Sequence, residues 1–249
     1  MRKPIMAGNW KMYKTPAETT AFFEKFRPLV EKSSHCEIVI CPPFTSLVAA
    51  VAAVQGSAIQ VGGQNVAWAK EGAFTGEICG QMLTSVGASY AIIGHSERRQ
   101  YFCETDETVL KRTQAALEAG LTPIVCVGER LEERESGNTA NVLIGQFNKG
   151  IAGLTDQQFA KIVIAYEPVW AIGTGKTATP EMAADAHRVI REQVRAKYGK
   201  DAGDAVRILY GGSVKPDNVK TLMAQPEIDG SLVGGASLDP VSFSSIVNF

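Results

Sequence analysis

Eight short apolar runs, separated by longer segments of helical pattern, constrain this chain more than any other feature of it. The runs are Ile5–Trp10, Ile38–Cys41, Ile59–Gly62, Tyr90–Ile93, Ile124–Val127, Ile162–Tyr166, Val206–Tyr210 and Ser231–Val233. Few of them alternate polar with apolar residues. A strand apolar on both faces belongs in a parallel sheet covered on both sides. Between the runs, Ala17 to Glu31 carries Phe22, Phe23, Phe26, Leu29 and Val30 on one helical face. Thr105 reads as the cap of a helix through Leu117, with Gly120 placed to end it. Thr179-Pro180-Glu181 joins a capping hydroxyl, a proline in the first turn and an acid near the positive end of the helix dipole. That helix is expected to run towards Tyr198 and stop at Gly199, and Val214-Lys215-Pro216-Asp217 to open another. Strands alternating with helices make right-handed βαβ units. Eight such units in 249 residues favour an α/β chain closed into a single (β/α)8 barrel domain over residues 1–249. An open doubly wound sheet would carry a glycine loop after its first strand, where this chain has Asn9-Trp10-Lys11.

Charge excludes some partners. With 25 basic and 26 acidic residues, the net charge of −1 leaves no electrostatic footprint for nucleic acid or anionic lipid. Any anion must be caught by a local site. The five cysteines (Cys36, Cys41, Cys79, Cys103 and Cys126) match no zinc spacing and read as reduced thiols of a cytoplasmic protein, so no metal is expected. The uncharged stretch from Ile38 to Ala69 is broken by Pro42, Pro43, Gly56, Gly62 and Gly63. Its longest apolar run, Leu47 to Val54, falls far short of the roughly 20 residues of a spanning helix. The apolar stretch after Met1-Arg2-Lys3-Pro4 is too short for a secretory leader.

A barrel enzyme keeps its working residues at the C-terminal ends of its strands. Here those ends offer Asn9 and Lys11 after the first strand, His95, Ser96 and Glu97 after the fourth, Cys126 in the fifth and Glu167 after the sixth. Glu167, His95 and Lys11 are a base, a donor that can be neutral and a cation. That set suits removal of a proton beside a carbonyl, with donors stabilising the oxyanion that develops. Gly211-Gly212-Ser213 and Gly234-Gly235 end the last two strands, where barrels commonly bind phosphate on backbone N–H groups. From Pro168 to Lys176 runs a loop with a proline hinge, an apolar middle (Val169, Trp170, Ile172) and a small-residue hinge. It suits a lid that excludes water, and Gly173 could offer an N–H to phosphate.

Other signals read more plainly. Cys126 is a buried packing thiol near the site, and Ser96, directly beside His95, cannot form a triad with it. His35 and His187 belong to no motif and read as surface residues. Gly173-Thr174-Gly175-Lys176-Thr177 ends like a phosphate-binding P-loop, but Trp170 stands where that pattern needs glycine.

Five ordered segments carry a family resemblance: Ala7 to Met12, Gly94 to Arg99, Tyr166 to Gly175, Tyr210 to Val214 and Leu232 to Ala236. Together they resemble the triosephosphate isomerases, from the first strand to the last. The resemblance implies a TIM barrel that interconverts dihydroxyacetone phosphate and D-glyceraldehyde 3-phosphate in glycolysis and gluconeogenesis, without a cofactor. It makes Glu167 the shuttling base and His95 the group that polarises the carbonyl. Lys11 stabilises enediolate charge, Asn9 lines the pocket, and Glu97 is a buried carboxylate near the lysine. Phosphate would rest on the N–H groups of Gly173, Ser213, Gly234 and Gly235. It also implies a homodimer in which each subunit inserts the loop Gln64 to Gly80, with Val66, Trp68, Phe74 and Thr75, into the other. Two readings compete: a barrel aldolase using Lys11 as a Schiff base, and a non-catalytic scaffold.

Overall fold

The strands form where the apolar runs lie. In the computed structural model, which describes residues 2–172 and 177–249, they are β1 (Ile5–Asn9), β2 (Glu37–Cys41), β3 (Ile59–Gly63), β4 (Tyr90–Ile93), β5 (Thr122–Val127), β6 (Val163–Tyr166), β7 (Ile208–Tyr210) and β8 (Gly230–Val233). Each pairs in parallel with the next, and β1 pairs with β8, so the sheet closes into a barrel. Its closing register sets Gly8 between Ile40 of β2 and Val233 of β8.

The missing polar alternation now has a physical cause. Ile5, Ala7, Val39, Ile92, Ile124 and Val163 point into the barrel and pack on one another. Met6, Ile38, Ile40, Ile93, Val125 and Ile164 point outwards and pack under the helices. Both faces of each strand are therefore buried, as in other barrels of this kind.

The helices keep to the read signals with some corrections. Thr15 caps the helix Pro16–Val30, whose Phe22, Phe23 and Phe26 are buried. Leu29 is not on that buried face; it is exposed. Trp10 packs its ring on Phe22 at 4.8 Å between centroids and donates its indole N–H to Ser237 O at 3.0 Å, tying the first strand end to the last. Thr105 caps Asp106–Glu118, and Thr179 caps Pro180–Tyr198. Gly120 and Gly199 follow those helices with φ of +82° and +88°, the left-handed region glycine adopts at low cost.

Two readings fail here. The segment after β7 does not start a helix at Val214. Asn218 Oδ1 instead accepts from Lys215 N–H at 2.8 Å, closing a turn over Pro216, and the helix runs Val219–Met223. His187 is not a surface residue. It is fully buried on the inner face of its helix, with Nδ1 3.0 Å from Glu227 O, and burial pushes its pKa down to about 3. His35 is exposed, against the ring of Phe249. Among the described residues, no helix is long and apolar enough to cross a membrane.

Candidate active site

At the end of β1 the chain makes a strained bend. Lys11 holds φ of +52°, a region unfavourable for any side chain with a Cβ. Its neighbours hold it there. Asn9 Oδ1 accepts from Lys11 N–H at 3.0 Å, and Gln64 Nε2 donates to Lys11 O at 2.8 Å. The ammonium thereby reaches Glu97 Oε1 at 2.5 Å. Glu97 is not the buried carboxylate the resemblance implied. Its side chain is 38% exposed in the isolated chain, because the face beside it is open.

After β4, Gly94 turns the chain with φ of +70°, and a Cβ there would come within 2.6 Å of Val109. The turn places His95 as the N-cap of the helix Ser96–Tyr101. Its Nδ1 accepts from Glu97 N–H at 3.2 Å, so the ring proton resides on Nε2. Nε2 in turn lies 2.9 Å from Glu167 Oε1.

Glu167 follows β6 and is buried. Its N–H donates to Val127 O at 2.8 Å, and its second carboxylate oxygen accepts from Ser96 N–H at 2.9 Å. Two neighbouring glycines make this position possible. A Cβ on Gly211 would stand 2.8 Å from Glu167 Cγ, and one on Gly128 would stand 1.7 Å from Glu167 O. Gln146 pins Gly128 by both its N–H and its carbonyl.

Burial drives the Glu167 pKa up, while His95, the Ser96 N–H and Lys11 drive it down, and the balance lies below the ordinary carboxylate value. For His95 burial acts downward and the Glu167 carboxylate upward, with the net shift upward. Most of that upward pull belongs to this pairing, with a smaller part from the Glu97 carboxylate, and the Glu167 part would end if that carboxylate turned away.

Asn9, Lys11, His95 and Glu167 line one cavity of about 290 Å³ together with Ser213, Gly234 and Gly235. Gly211 N–H is already committed to Tyr166 O at 2.7 Å and is not available to an anion. Gly234 lies against the Lys11 stem, since a Cβ there would be 3.6 Å from Lys11 Cε. A cavity of about 390 Å³ between Leu117, Phe159, Tyr198 and Arg207 is larger. It brings together no such set of acid–base groups.

In the segment after Glu167, Trp170 is buried in a single turn of 3-10 helix, Val169–Ala171. Its indole N–H donates to Glu129 Oε1 at 2.9 Å, the oxygen that also accepts from Tyr166 OH at 3.0 Å. Ile172 lines the cavity. Gly173, read as a phosphate donor, lies outside the described residues.

Cys126 is fully buried behind Glu167, and burial holds its thiol pKa well above the usual value. Ser96 donates its backbone N–H to Glu167. Three residues escaped the sequence reading. Glu129 had no local signal, because its partners lie 37 and 41 positions away. Lys215 lines the cavity. Asn218, which bonds both Lys215 N–H and Ser213 O, was legible as an Asx turn but was read as helix.

A family model described as triosephosphate isomerase matches residues 4–249. The chain is 82% identical to a triosephosphate isomerase of Solibacter usitatus over the full length of both. It is 57% identical to one of Citrifermentans bemidjiense, over all of this chain and 99% of that one. Among solved structures, the triosephosphate isomerase of Bartonella henselae superposes with a TM-score of 0.89 at 40% identity, covering 99% of this chain and 98% of that one.

Proposed function

The chain belongs to the triosephosphate isomerase family, and we propose that its residues 1–249 act as one barrel domain interconverting dihydroxyacetone phosphate and D-glyceraldehyde 3-phosphate through an enediolate. The observation that carries this reading is the convergence of Glu167, His95, Lys11 and Asn9 with the Ser213 and Gly234-Gly235 backbone in one cavity.

In this reading phosphate rests on the N–H groups of Ser213, Gly234, Gly235 and Gly173. The carbonyl then lies towards His95 and Lys11. Glu167 releases His95 and Ser96, turns to the carbon beside the carbonyl and takes its proton. As it leaves, the larger upward pull on His95 ends and only that of the Glu97 carboxylate stays, opposed by Lys11. Burial and the Glu97 N–H at Nδ1 remain, and both favour the neutral ring. A neutral Nε2–H can polarise the carbonyl and then relay a proton between the two oxygens. Lys11 balances the enediolate charge, and Glu167 returns the proton to the neighbouring carbon. These groups complete the reaction by acid–base chemistry alone, without a cofactor. The loop after Glu167 closes over the cavity and keeps water from the intermediate.

An aldolase reading is less well supported. A Schiff-base lysine needs apolar or cationic surroundings, and Lys11 is ion-paired to Glu97 at 2.5 Å. Borohydride trapping with substrate is expected to leave Lys11 unmodified, and an adduct there would favour the aldolase.

The functional unit in this reading is a cytoplasmic homodimer. Trp68 and Phe74 are half-exposed and pack edge to face at 5.8 Å on the loop Gln64 to Gly80. A cavity of about 460 Å³ between Met12, Tyr13, Gln64, Glu97, Arg98 and Phe102 would receive such a loop beside the active site. Val66, by contrast, is fully buried in its own subunit and is not part of that surface.

The activity is tested by supplying D-glyceraldehyde 3-phosphate and reading dihydroxyacetone phosphate through a coupled dehydrogenase. Turnover is expected, and its absence from the wild-type protein would contradict the proposal.

A further inference from the structure

The cavity has a charge problem that the acid–base residues do not solve. A triose phosphate arrives largely as a dianion, yet in the charge count of the site Lys11 is already matched by Glu97 at 2.5 Å, and Glu167 adds a further negative charge. Those groups alone would present the substrate with a surplus negative charge. The chain as a whole, at −1, supplies no compensating field. Among the described residues lining the cavity, one other cation is present, Lys215.

Lys215 is exposed and sits two residues beyond Ser213, on the loop proposed to carry a phosphate-binding N–H. Its position on that loop is fixed. Asn218 accepts from Lys215 N–H at 2.8 Å and donates its amide to Ser213 O at 3.1 Å, so one side chain holds both residues in a set relation. Pro216 stiffens the turn between them. Among the described residues, no carboxylate lies within ion-pair distance of the Lys215 ammonium.

We propose that Lys215 is the capture residue of this site: an ammonium at the cavity mouth that attracts the substrate phosphate and helps deliver it to the Ser213 and Gly234-Gly235 backbone. The inference rests on the isomerase reading above. Lys215 touches no reacting carbon or oxygen in it. Its effect is an encounter effect, screened by salt, because exposed charges interact over a Debye length of about 10 Å at 0.1 M and about 3 Å at 1 M.

The test is kcat/KM for D-glyceraldehyde 3-phosphate against ionic strength in wild-type protein, Lys215→Gln and Lys215→Arg. Binding of inorganic phosphate to the same three proteins is measured by calorimetry. At about 0.02 M ionic strength, Lys215→Gln is expected to lose about tenfold in kcat/KM, carried in KM. The deficit should shrink to less than about twofold near 0.5 M, where screening is nearly complete. Phosphate should bind Lys215→Gln more weakly, and Lys215→Arg should restore both quantities. Equal salt dependence in wild type and Lys215→Gln, or unchanged phosphate affinity, would overturn the inference and leave the isomerase reading standing. A wild-type protein without turnover would overturn that reading instead, and the calorimetry would then decide whether Lys215 captures phosphate.

Discussion

At the level of single residues, Glu167 is held by two contacts that the proposed mechanism has it give up. Its oxygens are engaged by His95 at 2.9 Å and Ser96 N–H at 2.9 Å. A base that must swing from one set of partners to another depends on side-chain length. Glu167→Asp should therefore bind substrate but lose about 100-fold in kcat, the order of cost of a misplacement of about 1 Å. Steady-state kinetics checks this, and a near-normal kcat would remove Glu167 from the role of base. His187 supports a second expectation, on stability. Its pKa falls from 6.5 unfolded to about 3 folded, so the unfolded chain binds the extra proton between those values. The contribution is complete above pH 6.5 and is lost as pH falls towards 3. At pH 5 it amounts to about 2 kcal/mol lost relative to pH 8. Urea unfolding should show that loss in wild type and a smaller one in His187→Gln; identical acid sensitivity would contradict it. Glu167, His95 and Lys11 were legible in the sequence because each sits in a recognisable segment at a strand end. His187 was missed because it belongs to no motif, although Ala183, Ile190 and Val194 at helical spacing mark its face of the helix as the buried one. The half-exposure of Glu97 likewise depends on a face of the barrel that sequence does not reveal.

Among the elements, the eight strands were read to within a few residues, since burial on both faces leaves an uninterrupted apolar signal. Helix starts were read where a hydroxyl cap opens the helix, as at Thr105 and Thr179. The reading failed after β7, where Pro216 resembles a first-turn proline but Asn218 closes a turn ahead of the helix. That failure points to function. If Asn218 fixes Ser213 for phosphate, Asn218→Ala should raise KM several-fold with a smaller change in kcat. An unchanged KM would show that the loop keeps its shape without this brace. The segment after Glu167 was read as a lid, and the anchoring of its first turn was not foreseen. Glu129 follows β5 and receives Trp170 and Tyr166 from the end of β6, so the pairing of these neighbouring strands, not any local sequence signal, brings the three together. Shortening the lid should increase loss of phosphate from the enediolate, read as inorganic phosphate released per turnover. No increase would remove its water-excluding role.

Across the whole molecule, closure is what gathers residues far apart in sequence into one cavity, and alternation of strands and helices was enough to expect it. The surface was less legible. The loop Gln64 to Gly80 is pre-shaped by Arg112, which donates to Val66 O at 2.6 Å, pairs with Glu77 at 3.1 Å and lies 4.8 Å from the Trp68 ring. A loop fixed in advance loses little entropy on docking, which favours a stable pair of subunits. Sedimentation should give a dimer at micromolar concentration and a shift towards monomer in Phe74→Asp, whereas a wild-type monomer would contradict the interface. The most direct test of the account concerns the proton itself. Dihydroxyacetone phosphate is incubated in D2O and followed by proton NMR with wild-type protein and with Glu167→Gln. Wild type should form D-glyceraldehyde 3-phosphate and place deuterium on the carbon beside the carbonyl, while Glu167→Gln should do neither at a comparable rate. Deuterium entering at the wild-type rate in Glu167→Gln would mean that another group takes the proton.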